Sequence, residues 1–156
     1  MYDTPKDLLD GFGSAPDIYR DLLDGVTQEQ AQMARGGDEN WSILEVMCHL
    51  RDAEERGIER MRAMRDQDIP FLPAYDQDAW AAERNYAGQS QEKAISEYLQ
   101  LLDIHIAELE ALTAEQWERP GIHEEQGRIT ISAHTLHLVA HYMQHAAQIV
   151  RQKFDQ

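Results

Sequence analysis

The stretch Ile129-Thr-Ile-Ser-Ala-His134-Thr-Leu-His137-Leu-Val-Ala-His141-Tyr-Met-Gln-His145-Ala-Ala-Gln148-Ile-Val150 decides how this chain reads. It holds four of the chain's seven histidines, at spacings of three, four and four. Residues three or four apart share a helix face, so a helix here gathers the imidazoles into one stripe. No Asp, Glu, Lys or Arg occurs between Ile129 and Val150. An ordinary surface helix sets charges opposite its apolar side. This one offers imidazoles and amides as its polar strip, flanked by Leu136, Met143 and Val150 on one side and by Ile131, Leu138, Tyr142 and Ile149 on the other. His141 and His145, one turn apart, have the spacing at which two histidines close on one divalent metal. The same stripe can instead be the hydrogen-bonded face of a buried helix, and a mononuclear site needs a third ligand.

A third candidate lies upstream. Trp41-Ser-Ile-Leu-Glu-Val-Met-Cys-His49-Leu opens a second strong helix, with Ser42 as N-cap and Glu45 completing a capping box. His49 falls two turns into it, at the edge of an apolar stripe of Val46, Leu50, Ala53, Gly57, Met61 and Met64. A side chain at such an edge can point between two packed helices, so His49 joins His141 and His145 as a candidate ligand.

Four main helices follow from the periodicity: about Pro5 to Leu23 with Thr4 as cap, Trp41 to Arg65, Gln91 to Leu112 with Ser90 as cap, and Ser132 to Lys153. Gly11 and Gly13 weaken the first. Ile95, Leu99, Leu102, Ile106 and Leu109 form the expected core stripe of the third. Short turns with Thr-x-x-Gln boxes follow helices one and three, at Thr27 to Gln30 and Thr113 to Gln116. These boxes, each leading into a helix with a histidine at Trp41…His49 and Ile129…His137, suggest an internal duplication in which helices two and four are equivalent. No segment alternates with period two for long enough to predict a sheet. The expectation is a single domain, 1–156, folded as an all-α four-helix bundle. Positions 66–88 form a long crossover between helices two and three, broken by Pro70 and Pro73 and weighted with Phe71, Tyr75, Trp80 and Tyr86. Connections of that length usually cap or cover something.

Composition narrows the function. A chain of 156 residues with 42% hydrophobic and 28% charged residues can bury a substantial core. A net charge of −15, from 14 basic and 29 acidic residues, argues against nucleic acid and against anionic membranes, because neither has a cationic surface to meet. There is no apolar run of membrane-spanning length and no signal-like N-terminus, and the single cysteine, Cys48, fits a reducing compartment. A cytoplasmic protein is expected, with Cys48 as a small core residue.

Three blocks together resemble a known family. Trp-Ser-x3-Val-x2-His-Leu-x3-Glu over Trp41 to Glu54, Phe71-Leu-Pro-Ala-Tyr-Asp-Gln-Asp-Ala-Trp80, and His137-Leu-Val-Ala-His141-Tyr-Met-Gln-His145-Ala-Ala-Gln148 resemble the DinB-like superfamily. The resemblance covers nearly the whole chain. It implies an up-down-down-up bundle, often a homodimer, and a divalent metal, nickel or zinc, held by His49, His141 and His145 with further positions open. Gln144, where many relatives carry another histidine, and Glu55, where arginine is frequent, depart from the pattern.

For function, the resemblance implies a metal-dependent S-transferase using a low-molecular-weight thiol as co-substrate, or a metal-dependent hydrolase, acting on a small molecule. The alternative is a non-catalytic protein that binds a metal or small ligand in stress responses. A purely structural metal fits less well, since three protein ligands leave the site open. His137 and Gln148 are expected beside the triad or lining its pocket. His134 is expected to be structural or exposed, and His105 and His123 to sit on the surface. Arg56 and Arg60 share the face of His49 and are expected to pair with acids or, less simply, with a substrate carboxylate. Asp52 and Glu54 turn away from His49 by about 60° and about 140°, so no general base is evident beside the triad.

Overall fold

The computed structural model describes residues 3–36 and 40–154. Its helices are α1 (Pro5–Gly13), α2 (Ala15–Leu23), α3 (Gln28–Met33), α4 (Ile43–Asp66), α5 (Gln77–Glu83), α6 (Gln91–Glu110), α7 (Ala114–Trp117) and α8 (Ile131–Phe154), with a single 3-10 turn at Tyr86–Gly88. Three short strands, β1 (Phe71–Leu72), β2 (Pro120–His123) and β3 (Gly127–Thr130), complete the chain. The ends of the expected 1–156 domain, and Gly37 of the duplicated pattern, lie outside the described residues. No helix among the described residues is long and apolar enough to cross a membrane.

The expected caps start the helices. Thr4, Thr27, Ser42 and Thr113 each close a capping box, and the Ser90 hydroxyl accepts from the Lys93 amide. These side chains satisfy amides that the first helical turn leaves unpaired. The first predicted helix is two helices, because the chain is interrupted at Ser14, whose hydroxyl donates to the Asp10 carbonyl, and restarts with Pro16 in the first turn of α2. Proline there costs no hydrogen bond.

Contacts between helices give their directions. The Gly11 carbonyl meets the Tyr142 hydroxyl and the Leu22 carbonyl meets Lys153, so α1–α2 and α8 run the same way. His49 lies beside His141 while Gly57 faces Leu138 and His134, so α4 opposes α8. Arg51 approaches Glu97 and Arg62 binds Glu108, so α4 and α6 are parallel. The bundle is therefore up-down-down-up. Two parallel neighbours need a connection that returns the full length of α4, about 36 Å at 1.5 Å per residue. That requirement explains the long crossover.

The core is continuous from Phe12, Tyr19 and Leu23 through Ile43, Met47, Leu50, Met61 and Met64 to Tyr98, Leu102, Ile131, Tyr142 and Ile149. On α6 the buried line is Ala94, Tyr98, Leu102, His105 and Leu109, while Ile95, Leu99 and Ile106 are half-buried. The core stripe is thus rotated from the all-aliphatic one that periodicity suggested. The small sheet is the other departure. β2 and β3 form an antiparallel hairpin closed by Gly127 at φ +75°, and β1 from the crossover pairs parallel to β2. Strands of two to four residues are too short to show an alternating pattern. The hairpin ends at Thr130, whose hydroxyl accepts from the Ala133 amide and caps α8.

Candidate metal centre

His49 of α4 and His141 and His145 of α8 meet where these antiparallel helices cross. Their donor atoms all lie within 4.8 Å of one another. The His49 and His141 Nε2 atoms are 3.0 Å apart, and those of His145 and His141 are 3.2 Å apart. With nitrogen–metal bonds of about 2.05 Å, ligands at right angles would be about 2.9 Å apart and tetrahedral ligands about 3.3 Å. The observed spacings fall between, so the donor set fits a single ion. His49 and His145 are buried and His141 is half-buried.

Burial, then the neighbouring His145, pushes His49 down to about 3. Burial, then His49 and His145, holds His141 well below the usual histidine range. Both rings are therefore neutral at ordinary pH, with lone pairs available. At His145, Nδ1 is 2.9 Å from the Gln148 side-chain oxygen. The Gln148 amide nitrogen donates to the Gly36 carbonyl at 2.8 Å, which turns its oxygen toward His145. The His145 proton is thereby kept on Nδ1, and its Nε2 lone pair faces the other two rings.

Beside His141 lies a recess of about 70 Å³, lined by Ala53, Gly57 and Arg60 of α4, Tyr75 of the crossover, and His134, His137 and Leu138 of α8. A Cβ on Gly57 would come within 3.2 Å of Leu138 Cδ1, so glycine permits the close helix approach. The crossover contributes to the recess through Tyr75, which stacks on Trp80 with ring centroids 4.4 Å apart. Trp80 in turn lies under the guanidinium of Arg84 at 3.8 Å and that of Arg56 at 5.0 Å. The Arg56 contact and the ion pair of Arg84 with Asp52 latch the crossover to α4. A larger hollow of about 600 Å³, between Val26, Gln28, Gln91, Ile95 and Leu99, holds no histidine and lies apart from this chemistry.

Several expected placements change. His105 is fully buried, not on the surface, and its Nδ1 is bonded to the buried Glu54 carboxylate. His123 is also buried; its Nδ1 accepts the Glu125 and Gln126 amides and shapes the hairpin turn. His134 is buried, with both ring nitrogens lacking a hydrogen-bond partner. His137 is exposed at the rim, its ring stacked 6.4 Å from that of His141. Asp52 bonds Tyr86, Arg51 and Arg84, away from the triad. Arg56 pairs with Glu59, whereas Arg60 pairs with no acid among the described residues and donates to the Pro73 carbonyl. Cys48 is buried, and burial pushes its thiol up to about 12, as suits a core residue. The helical spacing of His105 from Leu102 and Leu109 was the available sign that it faces the core.

Comparison with known proteins agrees with this architecture. A "Putative metal-dependent hydrolase" of Oceanobacillus iheyensis is 26% identical over 111 residues, covering 70% of this chain. The chain spans 63% of that relative's length. The solved structure of YfiT from Bacillus subtilis, described as a probable metal-dependent hydrolase with an unusual four-helix bundle topology, superposes with a TM-score of 0.87 at 20% identity. That match covers 97% of this chain and 86% of YfiT, and it establishes the fold. The family model of the DinB superfamily matches residues 12–149, and the chain belongs to that superfamily.

Proposed function

We propose that this protein is a divalent-metal enzyme in which His49, His141 and His145 hold the ion and the recess beside His141 receives a small substrate. The observation that carries this reading is the convergence of three imidazole Nε2 atoms, with the tautomer of His145 set by Gln148. Nickel and zinc both suit imidazole donors, and three protein ligands leave coordination open. When bound, such an ion lowers the pKa of a water or thiol at its open positions toward neutrality. His137, exposed at the rim, lines the recess beside His141. Tyr75 and Leu138 wall the recess on its apolar side.

The names of the relatives favour hydrolysis. The recess lining, which has no carboxylate to serve as a base, favours transfer of a low-molecular-weight thiol, whose proton leaves near pH 8.5 without help. Metal-loaded protein should be given glutathione, bacillithiol or mycothiol with a panel of electrophiles, beside His49→Ala. Conjugation lost in the variant supports S-transfer, and thiol-independent cleavage lost in the variant supports hydrolysis. Binding of metal or thiol with no turnover across the panel would make this a non-catalytic binding protein.

A homodimer through α8 is part of the proposal. Ala133, Leu136, Ala140, Met143, Ala147 and Val150 are all exposed and repeat at alternating spacings of three and four. Such a small–large heptad pattern suits the seam of a close helix pair. Light scattering should give twice the 18.0 kDa chain mass, and a monomer at micromolar concentration would contradict it. The net charge of −15 speaks against nucleic acid and anionic membranes as partners, and the unpaired Cys48 favours the cytoplasm.

A further inference from the structure

α4 carries five arginines, and four of them hold carboxylates: Arg51 with Asp52, Arg56 with Glu59, Arg62 with Glu108, and Arg65 with Asp66 and Glu108. Arg60 has no such partner among the described residues. In a chain with 29 acidic and 14 basic residues, an arginine without an acid needs a reason. Its Nη2 donates to the Pro73 carbonyl at 2.7 Å, and its guanidinium lies 5.8 Å from the Tyr75 ring. These contacts fix the side chain against the crossover. Its Nε is buried without a hydrogen-bond partner. Glu59 and Glu125 act on it only from a distance, and burial outweighs them, lowering its pKa. A desolvated guanidinium with an unused N–H is an unfilled anion receptor.

The second observation is His134, across the same recess. It is buried, and neither ring nitrogen has a partner. One of them must carry a proton in the neutral ring, which makes a second unused N–H donor. Gly57 also lines the recess, and a Cβ there would be 3.8 Å from His134 Cε1 and 3.2 Å from Leu138 Cδ1. The inner wall is His141, one of the three converging imidazoles. A cation, a neutral donor and about 70 Å³ of room match a monoanion with two oxygens, and no acid in the lining would repel it.

We infer that this recess is a carboxylate receptor, in which Arg60 and His134 bind the carboxylate of a small-molecule substrate and orient its reacting end toward the three histidines. What lies at that end rests on the metal-enzyme reading above; the receptor itself does not. Phosphate would bring a second negative charge to a single arginine, so carboxylates are the preferred class.

The test is an NMR titration of the purified protein with propionate, propionamide and inorganic phosphate. Propionate should bind and shift the His134 ring signals, and propionamide and phosphate should bind more weakly. Arg60→Gln should weaken propionate about tenfold or more, the loss expected for a charged hydrogen-bonding partner. Arg60→Lys should retain part of the affinity, and Arg62→Gln, which affects an exposed residue paired with Glu108 outside the recess, should leave it unchanged. His49→Ala separates this inference from the metal reading: propionate binding through Arg60 should persist when the triad is broken. Loss of propionate in His49→Ala with retention in Arg60→Gln would place the anion at the triad and overturn the receptor. No propionate binding to any form, or phosphate binding more tightly, would overturn it as well. Failure of metal loading alongside intact Arg60-dependent binding would sink the enzyme reading and leave the receptor standing.

Discussion

Histidines meet helix α4 at two places, against α6 at one and α8 at the other, and their partners differ. On α4, Glu54 reaches across to His105 of α6, and the carboxylate answers one ring nitrogen. Five residues nearer the start of α4, His49 meets two more imidazoles and, among the described residues, no acid. A histidine bonded to a carboxylate has one ring nitrogen answered and serves packing, here with Phe12 against the His105 ring at 4.9 Å, while its Nε2 has no hydrogen-bond partner among the described residues. Three histidines facing one another bring three Nε2 atoms to one point between the helices. Residue type is the same in both places. What separates a structural histidine from a candidate ligand is the chemistry of its nearest polar atom.

The largest expected effect is on the structural side of that contrast. Glu54→Ala leaves His105 buried without its partner and should cost about 3 kcal/mol of stability, measured by denaturant unfolding, with metal content unchanged. A loss of metal equal to that in His49→Ala would show that the two clusters are one unit. Next in size is the lock on His145. Gln148→Leu removes the acceptor that holds its proton on Nδ1 and should weaken metal affinity about tenfold to a hundredfold in a chelator competition, with smaller effects on folding. Unchanged affinity would mean that the tautomer is set by something else. The third effect is absent at neutral pH and emerges only as pH falls. Burial, then His105 and Arg60, pushes His134 down to about 3, against a usual 6.5. The unfolded chain takes up that proton below about pH 6.5 and the folded chain does not, so stability present above that pH falls as pH drops toward 3, by about 1.4 kcal/mol per pH unit per proton. His134→Phe should remove one proton's worth of that slope between pH 6 and 4. An unaltered slope would mean that the folded protein also binds the proton.

The histidine spacings and the capping boxes were readable because each is a local pattern that the helix itself enforces. Tyr142 and Ile149 turn inward as their spacing requires, while Leu136, Met143 and Val150, equally apolar, stay exposed. Periodicity finds the stripes of a helix but not which stripe meets a neighbour. The burial of His105 is underwritten by Glu54, far away in sequence, and that of His123 by a hairpin turn too short to announce itself, while His134 takes the structural one of its two expected placements. The three-stranded sheet joins positions 71–72 to positions 120–130 through pairing alone, with no pattern in either segment long enough to announce it. The break at Ser14 was signalled by Gly13 and Pro16, which a single long helix absorbs poorly. Arg60 was visible as a residue on the face of His49, but its lack of an acid could be seen only once every other arginine of α4 had been placed.

The central claim is that three convergent imidazoles bind an ion, and elemental analysis of the purified protein tests it most directly. Wild type, loaded with nickel or zinc and freed of excess, should retain close to one ion per chain. The triple substitution His49→Ala, His141→Ala and His145→Ala should retain almost none while keeping its helical circular dichroism spectrum. Full occupancy in the triple variant, or none in the wild type after loading, would contradict the account.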